Sequence, residues 1–342
     1  MAEFMNVGER GAKQCRERRD NFVHSYKSLF RFEKESVSFL ADNFLGPETN
    51  ETRGGALTQK RRMEIFLRYC ADPGFQLGVG EDLGVERSTV CKTFASVVDK
   101  IHDKAQEWIT FPRTELEVTQ AKELWQERYR FPQCIGAIDC THVRIQKPVQ
   151  ALHPDEYVNR KGWHSYNIQA TCNGKGEITS VDASWPGSVH DSRIFRNSFL
   201  PMVLQGTSAV ILGDSGYGIA PYLMVPYPNP VTHEARSFNS LLSRERVLIE
   251  QVFGEIKKRF PIVGNVVRVK TQKVPRLFIA CCVLHNVSKF LKDDSIEEND
   301  QDPDGDDAGD DEEREDAADV NVRRAGQRKR DQLSRIVAGM HE

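Results

Sequence analysis

No stretch of the 342 residues approaches the ~20 consecutive apolar residues that a membrane-spanning helix needs, and the start, MAEFMNVGERGAKQC, lacks the apolar run of a secretory signal. Both absences point to a soluble intracellular chain that does not engage membranes. The eight cysteines, at positions 15, 70, 91, 134, 140, 172, 281 and 282, form no CxxC pair and have no nearby HxxxH partner. A zinc module and a disulfide framework are thereby excluded, and reduced, mostly buried thiols are expected. There is also no GxSxG. Ser188 and His190 lie too close together to act as a nucleophile and its base, so serine-hydrolase chemistry is set aside.

What is present first shows as charge. The formal net charge of −3 hides a division along the chain. Between Asp293 and Asp319, 16 Asp and Glu face one basic residue, Arg314; the rest of the chain holds 46 Lys and Arg against 34 Asp and Glu, a net of +12. A basic body with a detached acidic segment suits a nucleic-acid binder, although charge alone does not separate that from plain solubility.

The pattern divides the chain into four parts. Residues 1–56 read as a helical segment, with LFRFEKESVSFLADNFLG apolar at helical spacing before the Gly46-Pro47 break. Residues 57–130 hold three short helices, in TQKRRMEIFLRYCA, around VGEDLG, and in STVCKTFASVVDKIHDK, the last with Ser88 as its expected N-cap. On that third helix Val90, Phe94, Val97, Val98 and Ile101 make an apolar stripe, while Arg87, Ser88 and Lys92 stand at its exposed beginning. This is a helix-turn-helix pattern, in which a helix enters the major groove by its N-terminal residues, and Arg87, Ser88 and Lys92 are the DNA-binding candidates. Plain structural helix pairs share the pattern. Residues 131–292 change to strands, CIGAIDCTHVRIQ, YNIQATCN, EITSVDASW and SAVILGDSG, with HDSRIFRNSFLPMVLQ helical between them and a long helix from about Asn239 to Phe260, an α/β mixed-sheet order. Residues 293–342 read as an acidic disordered tail with a basic C-terminal end, in which Arg323, Arg324, Arg328, Lys329 and Arg330 form either a nuclear import signal or solvated charge.

Four acids stand out. Asp139 lies among apolar neighbours in a strand, where an unpaired carboxylate is costly unless a cation partners it. Asp214 closes the strand Ile211-Leu212-Gly213, where sites collect in open α/β sheets. Glu250 lies off the apolar stripe of the long helix; an ordinary pair with Arg246 at i−4 would explain it equally well. Asp191, in WPGSVHDS, stands where a loop enters a helix and could serve as a cap. Convergent carboxylates on such a frame suit Mg²⁺ or Mn²⁺ and phosphoryl transfer.

Taken in order, GAIDCTHVRIQKP, YVNRKGWHSYNIQATCNGKGEITSV, WPGSVHDSRIF, LGDSGYGIAPYLMVPY, RERVLIEQVFGEIKKRF and ACCVLHNV resemble the PIF/Harbinger transposase superfamily and its transposase-derived nucleases over roughly residues 57–290. The resemblance implies an RNase H-like fold preceded by a helix-turn-helix, with a catalytic DDE triad of Asp139, Asp214 and Glu250. It also implies Asp191 as a further metal ligand, and Mg²⁺ or Mn²⁺ as cofactor. Arg160, Lys161, His164 and Asn167 are expected to hold DNA phosphates. Asp182 has no counterpart in the motifs, and Cys140 and Gly218 depart from the usual glycine and proline without removing a carboxylate. Double-stranded DNA as substrate, a nuclear location, a Myb-like partner protein and self-association follow as expectations. The leading function is a DNA endonuclease or transposase; the alternatives are a domesticated, non-catalytic DNA-binding regulator and an interaction protein that uses the acidic tract.

Overall fold

The structure is a computed structural model that describes residues 26–47, 57–72, 74–149, 151–293 and 317–340. It begins with α1 (Tyr26–Phe30) and α2 (Lys34–Leu45). The single helical run expected here is broken at Arg31, whose φ of 62° no right-handed helix tolerates and whose carbonyl accepts from Arg259 Nη1 at 2.7 Å. Next come α3 (Gln59–Ala71), with the Thr58 hydroxyl accepting from Arg61 N, and α4 (Gln76–Leu83), closed by Gly84 in the left-handed region that glycine enters without strain. α5 (Arg87–Asp103) buries the expected stripe of Val90, Phe94, Val97, Val98 and Ile101, with the Phe94 ring stacked on Phe66 at 5.5 Å. Its N-cap is Glu86, without a side-chain bond, so Ser88 lies inside the first turn rather than capping it. The short α6 (Ala105–Trp108) leads to α7 (Glu115–Gln126), which opens with a Thr114/Glu117 capping box.

Five strands follow: β1 (Cys134–Arg144), β2 (Ser165–Cys172), β3 (Ile178–Pro186), β4 (Val210–Leu212) and β5 (Leu223–Met224). The sheet order is β3-β2-β1-β4-β5, with the β1/β2 and β2/β3 pairs antiparallel and the β1/β4 and β4/β5 pairs parallel. Strand alternation splits the central strand between two apolar layers. Ala137 and Val143 join Ile168 and Ala170 beneath the long helix, whereas Ile138 and Cys140 join Ile194 and Phe195 on the other face.

That second face is covered by α8 (Asp191–Asn197) and α9 (Leu200–Leu204). The first is covered by α10 (His233–Arg259), which starts earlier than the apolar pattern suggests because Thr232 caps it, accepting from Ala235 N at 3.2 Å. Two helices close this part, α11 (Pro261–Gly264) and α12 (Val274–Phe290). α12 is buried on nearly all sides, so Leu277 and Phe278 share one core with Phe66 and Phe94, with Phe32 and Leu40, and with the sheet. The boundaries expected at 56/57 and 130/131 therefore mark changes of texture, not separate cores.

The expected disordered tail needs a correction at both ends. Asp293 is buried, accepts from Glu33 N at 2.9 Å and pairs with Lys27 at 2.9 Å. Ala317–Gly339 form a further helix, α13, which packs on α10 and buries Leu333 and Val337 in the main core. Arg330 lies over the Tyr227 ring at 3.8 Å and donates to Pro226 O at 3.0 Å, while Lys329 bonds to Gln133. The stretch 323–330 is thus part of a docked helix, in which Lys329 and Arg330 are tied down by partners far away in sequence. Gly326 meets the Asp214-bearing loop so closely that a Cβ there would come within 2.8 Å of the Ala220 backbone. The disorder expected between these ends, residues 294–316, lies outside the described residues, as does 1–25 of the N-terminal segment. Among the described residues no helix is long and apolar enough to cross a membrane.

Candidate active site

Register brings the strand acids together. Leu212 of β4 pairs with Ala137 of β1 in parallel, so Asp139 and Asp214, each two residues further on, stand level with one another. Asp139 is only 16% exposed and points to the α10 side of the sheet. Its Oδ1 accepts from Cys140 N at 2.8 Å and its Oδ2 from Arg246 Nη1 at 3.0 Å. Asp214, half-buried, accepts from Gly216 N at 3.1 Å in the loop that β4 runs into.

Burial pushes the Asp139 carboxyl up to about 8. The Asp214 and Asp191 charges push the same way, against the opposing Arg246 and the Cys140 amide. Asp214 is also raised, by burial first and then by Asp191, with Arg246 opposing. Both strand acids are thus poorly solvated and each feels the charge of a further acid, an arrangement that a cation would relieve.

The helix supplies the other pole. Arg246 and Glu250, one turn apart on α10, are ion-paired as the bland reading of Glu250 holds, but the same guanidinium also grips Asp139. Glu250 is 47% exposed and Arg246 19%. Just before Arg246 lies Glu245, which the sequence reading missed. It is 1% exposed and accepts from Trp125 Nε1 at 2.9 Å, Arg130 N at 2.7 Å and Phe131 N at 3.1 Å. These three bonds pin α10 to the segment feeding β1 and so fix where Arg246 and Glu250 meet Asp139.

Asp191 approaches from the other side. Asn167 pairs with His142, one face away from Asp139, and its Nδ2 donates to Asp191 Oδ1 at 2.8 Å and to Val189 O at 2.9 Å. Asn167 therefore positions Asp191 rather than facing a phosphate. Asp191 opens α8, whose cap is His190, accepting from Ser192 N through its ring at 3.3 Å.

The four acids do not form a ready ligand cage: among the described residues no group of three or more His, Cys, Asp and Glu stands so that it could hold a metal ion. Arg246 engages two of them, and Asp191 comes from the opposite face. Asp182 is satisfied within its own strand by Ser184 and by Trp185 Nε1 at 2.9 Å, as befits a residue outside the site.

The remaining candidates lie further off. Arg160 and Lys161 are exposed on the turn before β2, and His164 is half-buried in a backbone bridge to Val158. That turn runs into Ser165, which pairs with Arg144, five residues beyond Asp139. At ~3.4 Å per residue this is roughly 17 Å along the strand. Arg87, Ser88 and Lys92 are exposed on α5, as expected.

Residues 138–286, which carry all four acids, match the family model described as DDE superfamily endonuclease. Over this span the chain is similar to DDE superfamily endonucleases. More particularly, over about three quarters of its length it is similar to Harbinger transposase-derived nucleases. It is 28% identical over 269 residues to HARBI1 of Bos taurus, a candidate nuclease by name, covering 76% of each chain. It is 27% identical to HARBI1 of Homo sapiens with the same coverage, and 24% identical over 300 residues to Protein ALP1-like of Arabidopsis thaliana, covering 80% of this chain and 73% of that one. No solved structure matches the chain.

Proposed function

We propose that the chain hydrolyses phosphodiester bonds of double-stranded DNA with divalent metal ions, Asp139, Asp214 and Glu250 being the catalytic acids and Asp191 an auxiliary ligand. The observation that carries this reading is the level pair Asp139 and Asp214, poorly solvated and each feeling the charge of a further acid, opposite Glu250 on a pinned helix. The donor set fits hard cations such as Mg²⁺ or Mn²⁺ in its chemistry: all four groups offer carboxylate oxygens, and burial makes the charged form of two of them costly. When bound, such ions polarise the attacking water and the phosphate oxygens. Asp139 and Asp214 would hold one from the sheet and Glu250 one from the helix. Asn167 keeps the Asp191 carboxylate turned inward. Glu245 holds α10 at its working height.

The sheet, three antiparallel strands followed by two parallel ones, supports an RNase H-like reading, and α3, α4 and α5 are read as a helix-turn-helix that presents Arg87, Ser88 and Lys92 to DNA. Arg160 and Lys161, and His164 behind them, would meet the duplex some distance from the cut. A nuclear location, a Myb-like partner, self-association and strand transfer rest on the Harbinger homology alone.

The test is nicking of supercoiled plasmid in Mn²⁺, with and without chelator. Asp139→Asn, Asp214→Asn and Glu250→Gln keep side-chain shape while deleting charge, so each should abolish nicking yet retain duplex binding, and Asp191→Asn should do less harm. A wild-type rate in either strand-acid variant overturns the assignment. The second reading, a non-catalytic DNA-binding regulator, draws on Arg246, which already occupies oxygens of Asp139 and Glu250. Duplex binding by wild-type protein without any metal-dependent nicking would favour it.

A further inference from the structure

Arg246 is the side chain that ties the strand acid to the helix acid. One nitrogen of its guanidinium donates to Asp139 Oδ2 at 3.0 Å, and the other is bonded to Glu250. A structural ion pair usually joins groups with no other task. Here both carboxylates are ones that the proposed function assigns to metal, and the cation between them is only 19% exposed.

We propose that Arg246 is a resident counter-ion of the carboxylate site, and that a divalent cation gains Asp139 and Glu250 only as the guanidinium lets go of them. This inference rests on the metal-dependent reading above. Arginine cannot clear the seat by losing its proton, so the exchange has to be a movement of the side chain. The helix itself is held by the three bonds to the neighbouring Glu245, which leaves the side-chain torsions of Arg246 as the moving part. Two cations competing for the same oxygens make metal affinity lower than the carboxylates alone would give, and without metal the guanidinium alone offsets the like charges of the acids.

The experiment is titration calorimetry of Mn²⁺ into the full chain and into Arg246→Met and Arg246→Lys, with melting curves in chelator and in Mn²⁺. Removal of a competing cation should tighten Mn²⁺ binding of Arg246→Met by roughly tenfold or more. The variant should melt lower than wild type in chelator and recover most of the difference in Mn²⁺. Arg246→Lys, which keeps the charge but bridges only one acid, should fall between them; it also decides the matter if Arg246→Met does not fold. Equal or weaker Mn²⁺ binding in the variants overturns the counter-ion role while leaving the metal site standing. If neither wild type nor variants bind Mn²⁺, the metal-dependent reading falls first and this inference falls with it.

Discussion

Asp139 keeps its proton far above the pH at which a free aspartate loses it, because burial, helped by the Asp214 charge, outweighs Arg246. Between about pH 4 and about pH 8 the native chain therefore binds a proton that the unfolded chain has released. The corresponding stability is fully present below that window and is lost as pH rises through it. Denaturant midpoints in chelator should fall from pH 5 to pH 8, and Asp139→Asn should flatten the slope; a slope unchanged by the substitution counts against this protonation. Glu245 makes a different prediction. Glu245→Gln sets an amide hydrogen pair against backbone and indole donors, so it should cost about 1–3 kcal/mol of stability, read from the same midpoints. Asp139 and Asp214 were legible in the sequence because an acid within or at the end of an apolar strand is conspicuous. Glu245 was not, since what buries it is a set of donors at Trp125, Arg130 and Phe131, more than 110 residues away. Arg246 was legible as the partner of Glu250, but the second hand it gives to Asp139 depends on how α10 lies on the sheet.

At the level of elements, periodicity was a good guide wherever one face is buried and the other wet. The stripes of α5 and α10 follow it, whereas β1, β2 and β4 are covered on both faces and were legible instead as apolar runs. β5, two residues long, carries too little pattern to be read, and α7 was missed among charged residues. α13 was hidden by composition: its basic surface reads as solvated, and the residues that dock it, Gly326, Lys329, Arg330, Asp331, Leu333, Ser334 and Val337, are mostly polar themselves. Two predictions belong here. Charge reversal at both Arg87 and Lys92 should weaken duplex binding and reduce its salt dependence, because fewer counterions would be released. Unchanged affinity and slope in a salt titration would show α5 to be structural only. Gly326→Val should push α13 off the Ala220 backbone and disturb the loop that carries Asp214. Nicking should drop while duplex binding persists, and a variant that cuts normally would show that α13 does not brace the loop.

For the whole molecule the division of charge matters more than its sum. The tract between the buried Asp293 and α13 packs 14 of the chain's 50 Asp and Glu into 23 residues, and the rest of the chain is basic. Neutralising the carboxylates of 294–316, with Asp293 and α13 kept, should tighten non-specific DNA binding at low salt by removing an internal competitor for the basic surface. Equal affinities in a gel-shift series would remove that competition.

The docking of α13 also imposes an order in time. A polypeptide emerges from the ribosome N-terminus first, at roughly 5–20 residues per second. β1, α8, the loop after β4 and α10 are therefore all synthesised before the helix that closes against that loop. During this interval the nascent chain carries all four acids, yet the support beneath one of them has still to be made. A message cut short ahead of Ala317 would yield a chain that carries all four acids but lacks the helix packed against the loop of one of them, so the site is completed only after translation has passed well beyond its last acid.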